Sequence, residues 1–217
     1  MMEKTSNSRW LLFLVLLSLI SFVFFPTTSY AATSWLKYFR KDTLLNTYMR
    51  AYAVHGDQLW VGTYGDGVVI YDGSSTKNVN SKNTITKPEK HDGLISDLVN
   101  CLTIDERAGR VWIGTNEGLS SCNLEGTDWK RFTTSEGLPN DVVRDLAIDE
   151  KGSLWLGTPS GVACFDGEAW KTYTTANGLY EDSVQALTVE NGAVWVATIG
   201  GAVCRYSGDT WKTFIHN

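Results

Sequence analysis

The sequence predicts an all-β fold, a β-propeller made of four-stranded antiparallel blades. The first observation behind this prediction is a phrase that recurs four times along the 217-residue chain. Its copies begin at Leu59 (LWVGTYGDGVVIYDG), Val111 (VWIGTNEGLSSCNLEG), Leu154 (LWLGTPSGVACFDG) and Val194 (VWVATIGGAVCRYSG). The tryptophans of these copies are separated by 52, 43 and 40 residues. A period of this length is typical of repeat architectures such as propellers.

The second observation is that each period divides into four short segments. In the best-preserved period these are VVRDLAID from Val142, SLWLGT from Ser153, GVACFDG from Gly161 and AWKTYTT from Ala169. They are rich in Val, Leu, Trp, Tyr and Thr, and turn residues separate them, which indicates short antiparallel strands. Four such strands make one propeller blade. Because a single sheet cannot cover both of its own faces, the blades must stack on one another.

Positions that recur in every blade are interpreted as scaffold, since a reactive group is needed only once. The tryptophan of the phrase is expected to be buried between blades. The glycine that opens the third strand is expected to adopt a positive φ or to make a close contact. These glycines are Gly67, Gly118, Gly161 and Gly201. A second tryptophan series (Trp129, Trp170 and Trp211) and a Gly-Leu turn (Gly93-Leu94, Gly137-Leu138 and Gly178-Leu179) keep the same period.

The predicted blade count is four complete blades plus one surplus outer strand at the N-terminus. The surplus strand is SWLKYF, from Ser34 to Phe39, which precedes Trp60 by the spacing expected of a fourth strand. Either terminus would then close the ring against the last blade. The alternative, an open or truncated array, would leave two sheet faces bare.

The first 31 residues are predicted to be a secretory signal peptide, and residues 32–217 the propeller domain. Lys4 and Arg9 precede an apolar run of 16 residues, and Ser29-Tyr30-Ala31 has the pattern of a cleavage site. An uncleaved anchor is the alternative, although this run is shorter than the roughly 20 residues that a membrane span needs. We therefore expect a periplasmic or secreted protein with no membrane span after cleavage.

The composition is that of an ordinary globular domain, with 43% apolar residues and a net charge of -5. There is no basic excess for nucleic acid. No cofactor and no metal site is predicted, because His55, His91 and His216 lack metal-ligand spacing and no Cys-x-x-Cys pair occurs.

The stretch GLPNDVVRDLAIDEKGSLWLGTPSGV, from Gly137 to Val162, resembles the two-component regulator propeller repeat. Copies of that repeat build the extracytoplasmic sensing propellers of bacterial hybrid histidine kinases. The resemblance covers most of the mature chain and is strongest in the units of Trp112, Trp155 and Trp195. In the family an immunoglobulin-like module, a membrane helix and a kinase usually follow. These residues hold none of the three, which leaves the signalling output open.

The candidate ligand-binding residues are those that break the repeat. If each first strand runs from the top face of the propeller to the bottom, the second-to-third and fourth-to-first loops both lie on the top face. Loops on a rigid scaffold are where binding is usually carried. The candidates are Arg50, Tyr64, Asp66, Asn100, Asn116, Glu117, Arg144 and Gln185. The alternative interpretation is that these polar groups are solvated turns; no catalytic residue is predicted.

Two classes of function fit these observations, with a third beside them. The first is a non-catalytic extracytoplasmic binding or sensing module, for which the resemblance suggests a carbohydrate, another small molecule or an envelope component as ligand. The second is a propeller-fold lyase or hydrolase with its site at the same mouth, although no His lies among the candidate residues. The third is a scaffold for a protein partner, or a fragment without activity.

Two expectations concern other parts of the repeat. In the first unit, Ile85 is expected where the next unit has Trp129. The insertion SSTKNVNSKN, from Ser74 to Asn83, is expected to be a mobile loop on the bottom face, with a partner contact as the alternative. The four cysteines are expected to be unpaired. Cys122, Cys164 and Cys204 take nearly the same place on the third strand of successive blades. Such positions lie on the order of 15 to 20 Å apart, beyond the roughly 7 Å that a disulfide allows.

Overall fold

The structure of the protein, a computed structural model, describes residues 48–85 and 92–215. These residues form four antiparallel sheets of four strands each, which confirms the predicted all-β propeller of four complete blades. The signal peptide, the domain boundary after Ala31 and the surplus strand Ser34–Phe39 lie outside the described residues and stay predictions.

Each blade uses four consecutive strands in chain order, from the innermost strand to the outermost. The first two blades contain β1 (Met49–His55), β2 (Gln58–Thr63), β3 (Val68–Tyr71), β4 (Thr76–Val79), β5 (Val99–Asp105), β6 (Arg110–Thr115), β7 (Leu119–Asn123) and β8 (Lys130–Phe132). The last two contain β9 (Asp145–Ile148), β10 (Leu154–Thr158), β11 (Gly161–Phe165), β12 (Trp170–Tyr173), β13 (Val184–Glu190), β14 (Ala193–Thr198), β15 (Ala202–Ser207) and β16 (Thr210–Ile215). Every strand pair is antiparallel.

Apolar side chains between successive blades make three separate core clusters. Each cluster contains the tryptophan of the repeated phrase from one blade and the innermost strand of the next blade. Trp60, Trp112 and Trp155 are buried in this way, as expected, whereas Trp195 of the fourth blade is only partly buried. Removing a large apolar side chain from water contributes about 1.5–3 kcal/mol, so these contacts hold neighbouring blades together.

A buried threonine closes the turn between the second and third strands of each blade. The Oγ1 of Thr63 donates to the Gly67 carbonyl at 2.8 Å, and Thr158 repeats the bond to Gly161 at 2.9 Å. The predicted positive φ is found at all four opening glycines: Gly67, Gly118, Gly161 and Gly201. The Gly-Thr of the phrase therefore fixes where each second-to-third turn projects.

The outer strand of the first blade corrects two expectations. The stretch from Ser74 to Asn83 is not a bottom-face loop, because β4 lies inside it. Lys77 of β4 pairs with Ile70, and Lys130 of β8 pairs with Ser121, and both partners lie opposite the tryptophan of the repeated phrase. Lys77 and Lys130 are therefore equivalent, so the residue before Lys77, Thr76, takes the place of Trp129, and Ile85 does not. The extra residues of this blade lie instead in the connection from Val79 to Val99, the longest of the three connections between blades. An outer strand faces solvent and needs little apolar sequence, which is why TKNV gave no signal.

All four cysteines are free in the structure, as predicted from their spacing. Three of them lie on third strands, but at different register positions: Cys122 opposite Val111, Cys164 opposite Trp155 and Cys204 opposite Val196. Because side chains alternate along a strand, Cys122 and Cys204 lie on the same face of their blades and Cys164 lies on the opposite face.

The innermost strands pack in the order β1, β5, β9 and β13. Within the described residues no comparable packing joins β13 back to β1, so these four blades do not close a ring. No helix among residues 48–85 and 92–215 is long and apolar enough to span a bilayer.

Candidate ligand-binding face

The second-to-third turns and the fourth-to-first connections meet on one face of the blades, as predicted. In the first blade Tyr64 forms an isolated bridge with Leu98, and the Gly65 N–H donates to the Asp97 carbonyl at 3.0 Å. In the third blade Asn140 donates to Ser160 Oγ at 3.1 Å. This surface, called the top face below, is therefore built from both kinds of loop.

Arg50 and Tyr64 lie side by side at the first-blade end of the top face. The Arg50 guanidinium carbon is 5.1 Å from the centroid of the Tyr64 ring, within the range of a cation–π contact. The same guanidinium donates to Asn100 Oδ1 at 3.3 Å, and Asn100 donates to Asn116 Oδ1 at 2.8 Å. The structure therefore brings four predicted site residues into one connected group, in which Arg50 and Tyr64 are exposed.

Asn100 and Arg144 also have a structural task. Asn100 donates to the Val143 carbonyl at 3.0 Å, and Arg144 donates to the equivalent Val184 carbonyl at 2.7 Å and to Ser183 Oγ at 3.2 Å. Each side chain thus bridges its own innermost strand to the segment that leads into the next blade. These two residues support the top face, and part of their hydrogen-bonding capacity is used inside the protein.

The other three predicted residues are exposed on the same face. Asp66 and Glu117 take equivalent turn positions, where each backbone N–H donates to the threonine of its own turn. Gln185 is exposed on β13 of the fourth blade. Their side chains face solvent at separate blades, so they are placed around the top face and not gathered at one point.

One variable position of the top face was missed from the sequence. It lies just before the repeated Asp that leads into each innermost strand, and it reads Ser96, Asn140 and Glu181. Asn140 bonds Ser160, and Glu181 accepts a hydrogen bond from the Gly200 N–H at 2.7 Å. The signal was available, because this position changes from blade to blade inside a repeated frame.

Asp145 is a carboxyl group with a raised pKa, and it is partly buried between blades and not exposed on the top face. Burial raises the pKa of Asp145, and hydrogen bonds from the Leu187 and Leu146 N–H groups act in the opposite direction. Asp145 thus bridges the innermost strands of the third and fourth blades. Among the described residues, no group of three or more His, Cys, Asp or Glu side chains is placed to hold a metal ion.

A separate cleft of about 570 Å³ lies at the outer rim, between the first two blades. Its polar lining is engaged within the protein. Lys77 donates to the Glu125 carbonyl at 2.9 Å, Trp129 Nε1 donates to the Gly126 carbonyl at 3.3 Å, and Asp128 pairs with Arg110. We therefore interpret this cleft as a groove in the scaffold and place the candidate site on the top face.

Comparison with known proteins finds similarity to two component regulatory proteins. Residues 137–160 match the family model of the two component regulator propeller. Over 123 residues, 54% of the chain, it is 32% identical to Histidine kinase P4 of Formosa agariphila. The chain spans only 9% of the length of that relative.

Solved structures give the same relationship at the level of the fold. The extracellular domain of a putative hybrid two component system from B. thetaiotaomicron is 26% identical, with a TM-score of 0.62 over 75% of this chain and 22% of that one. A virginiamycin B lyase from Staphylococcus aureus, 16% identical, has a TM-score of 0.60 over 80% of this chain and 57% of that one. The latter likeness concerns the fold alone. Residues 137–160 thus match one copy of the two component regulator propeller repeat, and the chain shares the fold of the extracellular domain of a putative hybrid two component system.

Proposed function

We propose that this chain is a non-catalytic, extracytoplasmic sensing module that binds a hydroxyl-rich ligand on its top face. The observation that carries the proposal is the pair formed by Arg50 and Tyr64. Both side chains are exposed, and the 5.1 Å cation–π contact and the bond to Asn100 hold the guanidinium in a defined position. A preoriented group of this kind loses little conformational entropy when it binds a ligand.

The chemistry of the top face favours a carbohydrate. A guanidinium presents several N–H donors in a planar fork, which suits hydroxyl and carboxylate oxygens. The Tyr64 ring offers an apolar face for stacking. The exposed carboxylates of Asp66 and Glu117 accept hydrogen bonds from hydroxyl groups. The relationship to extracellular domains of two component systems supports a sensing role on the outer side of the membrane.

The same groups support binding more than turnover. Guanidinium, amide and phenol groups position a ligand, whereas general acid–base catalysis needs a carboxyl or imidazole tuned for proton transfer at the reacting atoms. Asp145, whose pKa is raised, is instead held by two backbone N–H groups between blades. A lyase or hydrolase would require a different arrangement of these side chains.

The test is a thermal-shift screen of the protein against neutral and anionic oligosaccharides, followed by calorimetry on any ligand found. Replacing Arg50 and Tyr64 together by Ala is expected to weaken binding at least about tenfold, which corresponds to about 1.4 kcal/mol. The control is Arg107→Ala, which should leave binding unchanged. Arg107 is exposed in the turn between β5 and β6, at the end of the strands opposite the top face. Equal affinity in the double variant and the wild type would refute a top-face site.

A further inference from the structure

Exposed apolar side chains are concentrated at the two ends of the blade series. Nine of the eleven large hydrophobic side chains that are exposed in the described residues lie in the first and fourth blades or directly beside them. These nine are Tyr48, Met49, Tyr52, Val54, Tyr64, Ile199, Val203, Phe214 and Ile215. Concentrated exposed apolar surface marks an interaction site.

The outward surface of the fourth blade, called the tail face below, carries Trp195, Ala197, Val203 and Phe214. These residues stand where the earlier blades bury side chains against the next blade. Val203 pairs with Ala197 as Val162 pairs with Gly157. Val162 is fully buried, whereas Val203 is 39% exposed and Phe214 is 41% exposed.

The innermost strand of the first blade shows the complementary half of the same contact. Met49, Tyr52 and Val54, called the head face below, take the positions of Val99, Leu102 and Ile104 in the second blade. Val99 and Leu102 are buried against the first blade, but Met49 is 47% exposed and Tyr52 is 65% exposed. Leu59 and Val61 on β2 are buried, so the exposed part of this surface is the innermost strand.

Within the chain, each of the three contacts between successive blades places a glycine of one blade against a valine of the next blade. A Cβ added to Gly62, Gly114 or Gly157 would lie within about 3 Å of a valine of the next blade. In the tail face Ala197 takes the place of these glycines, and in the head face Met49 takes the place of the valines. The tail face and the head face therefore both depart from the Gly–Val pair that joins the blades inside the chain. Met has a single γ carbon and flexible torsions, so it can pass beside the Cβ of Ala where Val would clash.

We propose that the tail face of one copy binds the head face of a second copy, by the contact that joins successive blades inside the chain. The two faces are different surfaces of one molecule, so the interface is heterologous, and it forms a closed assembly only if the rotation between copies closes. If the rotation closes with two copies, the assembly contains two identical interfaces. This inference is independent of the proposed ligand.

The test uses the full chain, expressed with its own N-terminal segment and purified in the form that the host produces. Light scattering is expected to give the mass of two chains over the micromolar range. Val203→Glu in the tail face and Tyr52→Lys in the head face should each weaken association at least about tenfold, since each buries a charge. Ile85→Glu and Tyr180→Lys are matched controls, exposed by 39% and 51% outside both faces, and should keep the two-chain mass.

Mixing the two variants distinguishes a head-to-tail contact from other arrangements. An equimolar mixture of the Val203→Glu and Tyr52→Lys proteins is expected to recover the two-chain species, because one interface is then wild type and the other joins opposite charges. A wild-type chain that stays monomeric overturns the proposal. Loss of association in only one of the two variants, or no recovery on mixing, overturns it as well. Circular dichroism on each variant confirms that the fold is retained.

Discussion

Gly157 of the third blade and Val184 of the fourth lie so close that a Cβ on the glycine would be 2.5 Å from Cγ1 of the valine. Gly157 has no positive φ, so the conformation of the backbone does not require glycine there. The requirement comes from the next blade, whose innermost strand occupies the space of a side chain. This contact explains why the repeated phrase has Gly after the buried tryptophan in three blades.

Gly157→Ala is therefore expected to destabilise the protein by about 1–3 kcal/mol, the cost of overpacking a filled core. In an ordinary strand the same change stabilises by about 0.5–1 kcal/mol, so the sign is diagnostic. Ala197→Gly is the matched control at the equivalent position of the fourth blade, and its loss should stay within about 1 kcal/mol. Urea unfolding of the three proteins measures the difference. A Gly157→Ala protein that is more stable than the wild type would contradict the interblade contact.

Arg144 and Arg50 take equivalent positions but are expected to respond differently to replacement by Ala. Arg144→Ala removes the donors to the Val184 carbonyl and to Ser183, and leaving buried partners unsatisfied costs about 1–3 kcal/mol. Arg50 is exposed, and Arg50→Ala should change stability by less than about 0.5 kcal/mol. Thermal denaturation of both variants decides this. Equal melting temperatures would mean that the bridge between the blades contributes no net stability.

The blades were predictable because the same steric problem recurs in each of them. Trp60, Trp112 and Trp155 are buried between blades, and Gly67 and Gly118 open third strands with positive φ. Burial between blades favours tryptophan, and a positive φ favours glycine, so each residue type recurs at the same spacing along the sequence. The strand Thr76–Val79 was not predictable in this way, because three of its four residues are exposed and packing places no demand on them.

The sequence predicted where the top face lies, but it did not predict which of its residues are exposed and which bridge two blades. Variation within a repeated frame indicated Arg50, Asn100 and Arg144 alike. Asn100 and Arg144 donate to backbone carbonyls of the next blade. Every residue type has a backbone carbonyl, so the sequence does not indicate these acceptors. The sequence could therefore propose the candidates, whereas separating exposed groups from bridging ones needed coordinates.

Asp145 is expected to make stability depend on pH. Burial raises its pKa above the ordinary value of 3.8, so folding favours the protonated form. The favourable contribution is complete below the unfolded pKa and is lost as the pH rises through the folded pKa. The difference in unfolding free energy between wild type and Asp145→Asn should therefore shift against the wild type as the pH rises above the ordinary carboxyl pKa of 3.8.

Asp166→Asn gives the opposite sign and serves as the control for this measurement. Hydrogen bonds from the Ala169 and Glu168 N–H groups lower the pKa of Asp166. Its contribution is present above the unfolded pKa and is lost as the pH falls through the folded pKa. Urea unfolding at a series of pH values tests both variants. The same trend in the two would show that the response does not come from Asp145.

Export is expected to leave a mature N-terminus at Ala32. The basic start, the apolar run and Ser29-Tyr30-Ala31 together have the pattern that signal peptidase recognises. N-terminal sequencing of protein recovered from the cell envelope tests this. Ala31→Leu, which replaces the small residue before the expected cleavage point, should leave a longer chain. Recovery of protein that begins at Met1 or Met2 would show that the segment is retained.

The cysteines are expected to react slowly in the folded protein, and all four should be free after unfolding without reductant. Burial raises the pKa of Cys122 and of Cys164 to about 12, and it raises the pKa of Cys101 well above its usual range. At pH 8 a thiol with such a pKa is ionised to roughly one part in ten thousand, and the thiolate is the reactive form. Cys164 is only half-buried, so it should react first in the native state, and Cys164→Ser should remove that first phase. Titration of the unfolded, unreduced protein that returns fewer than four thiols would contradict the register of these strands.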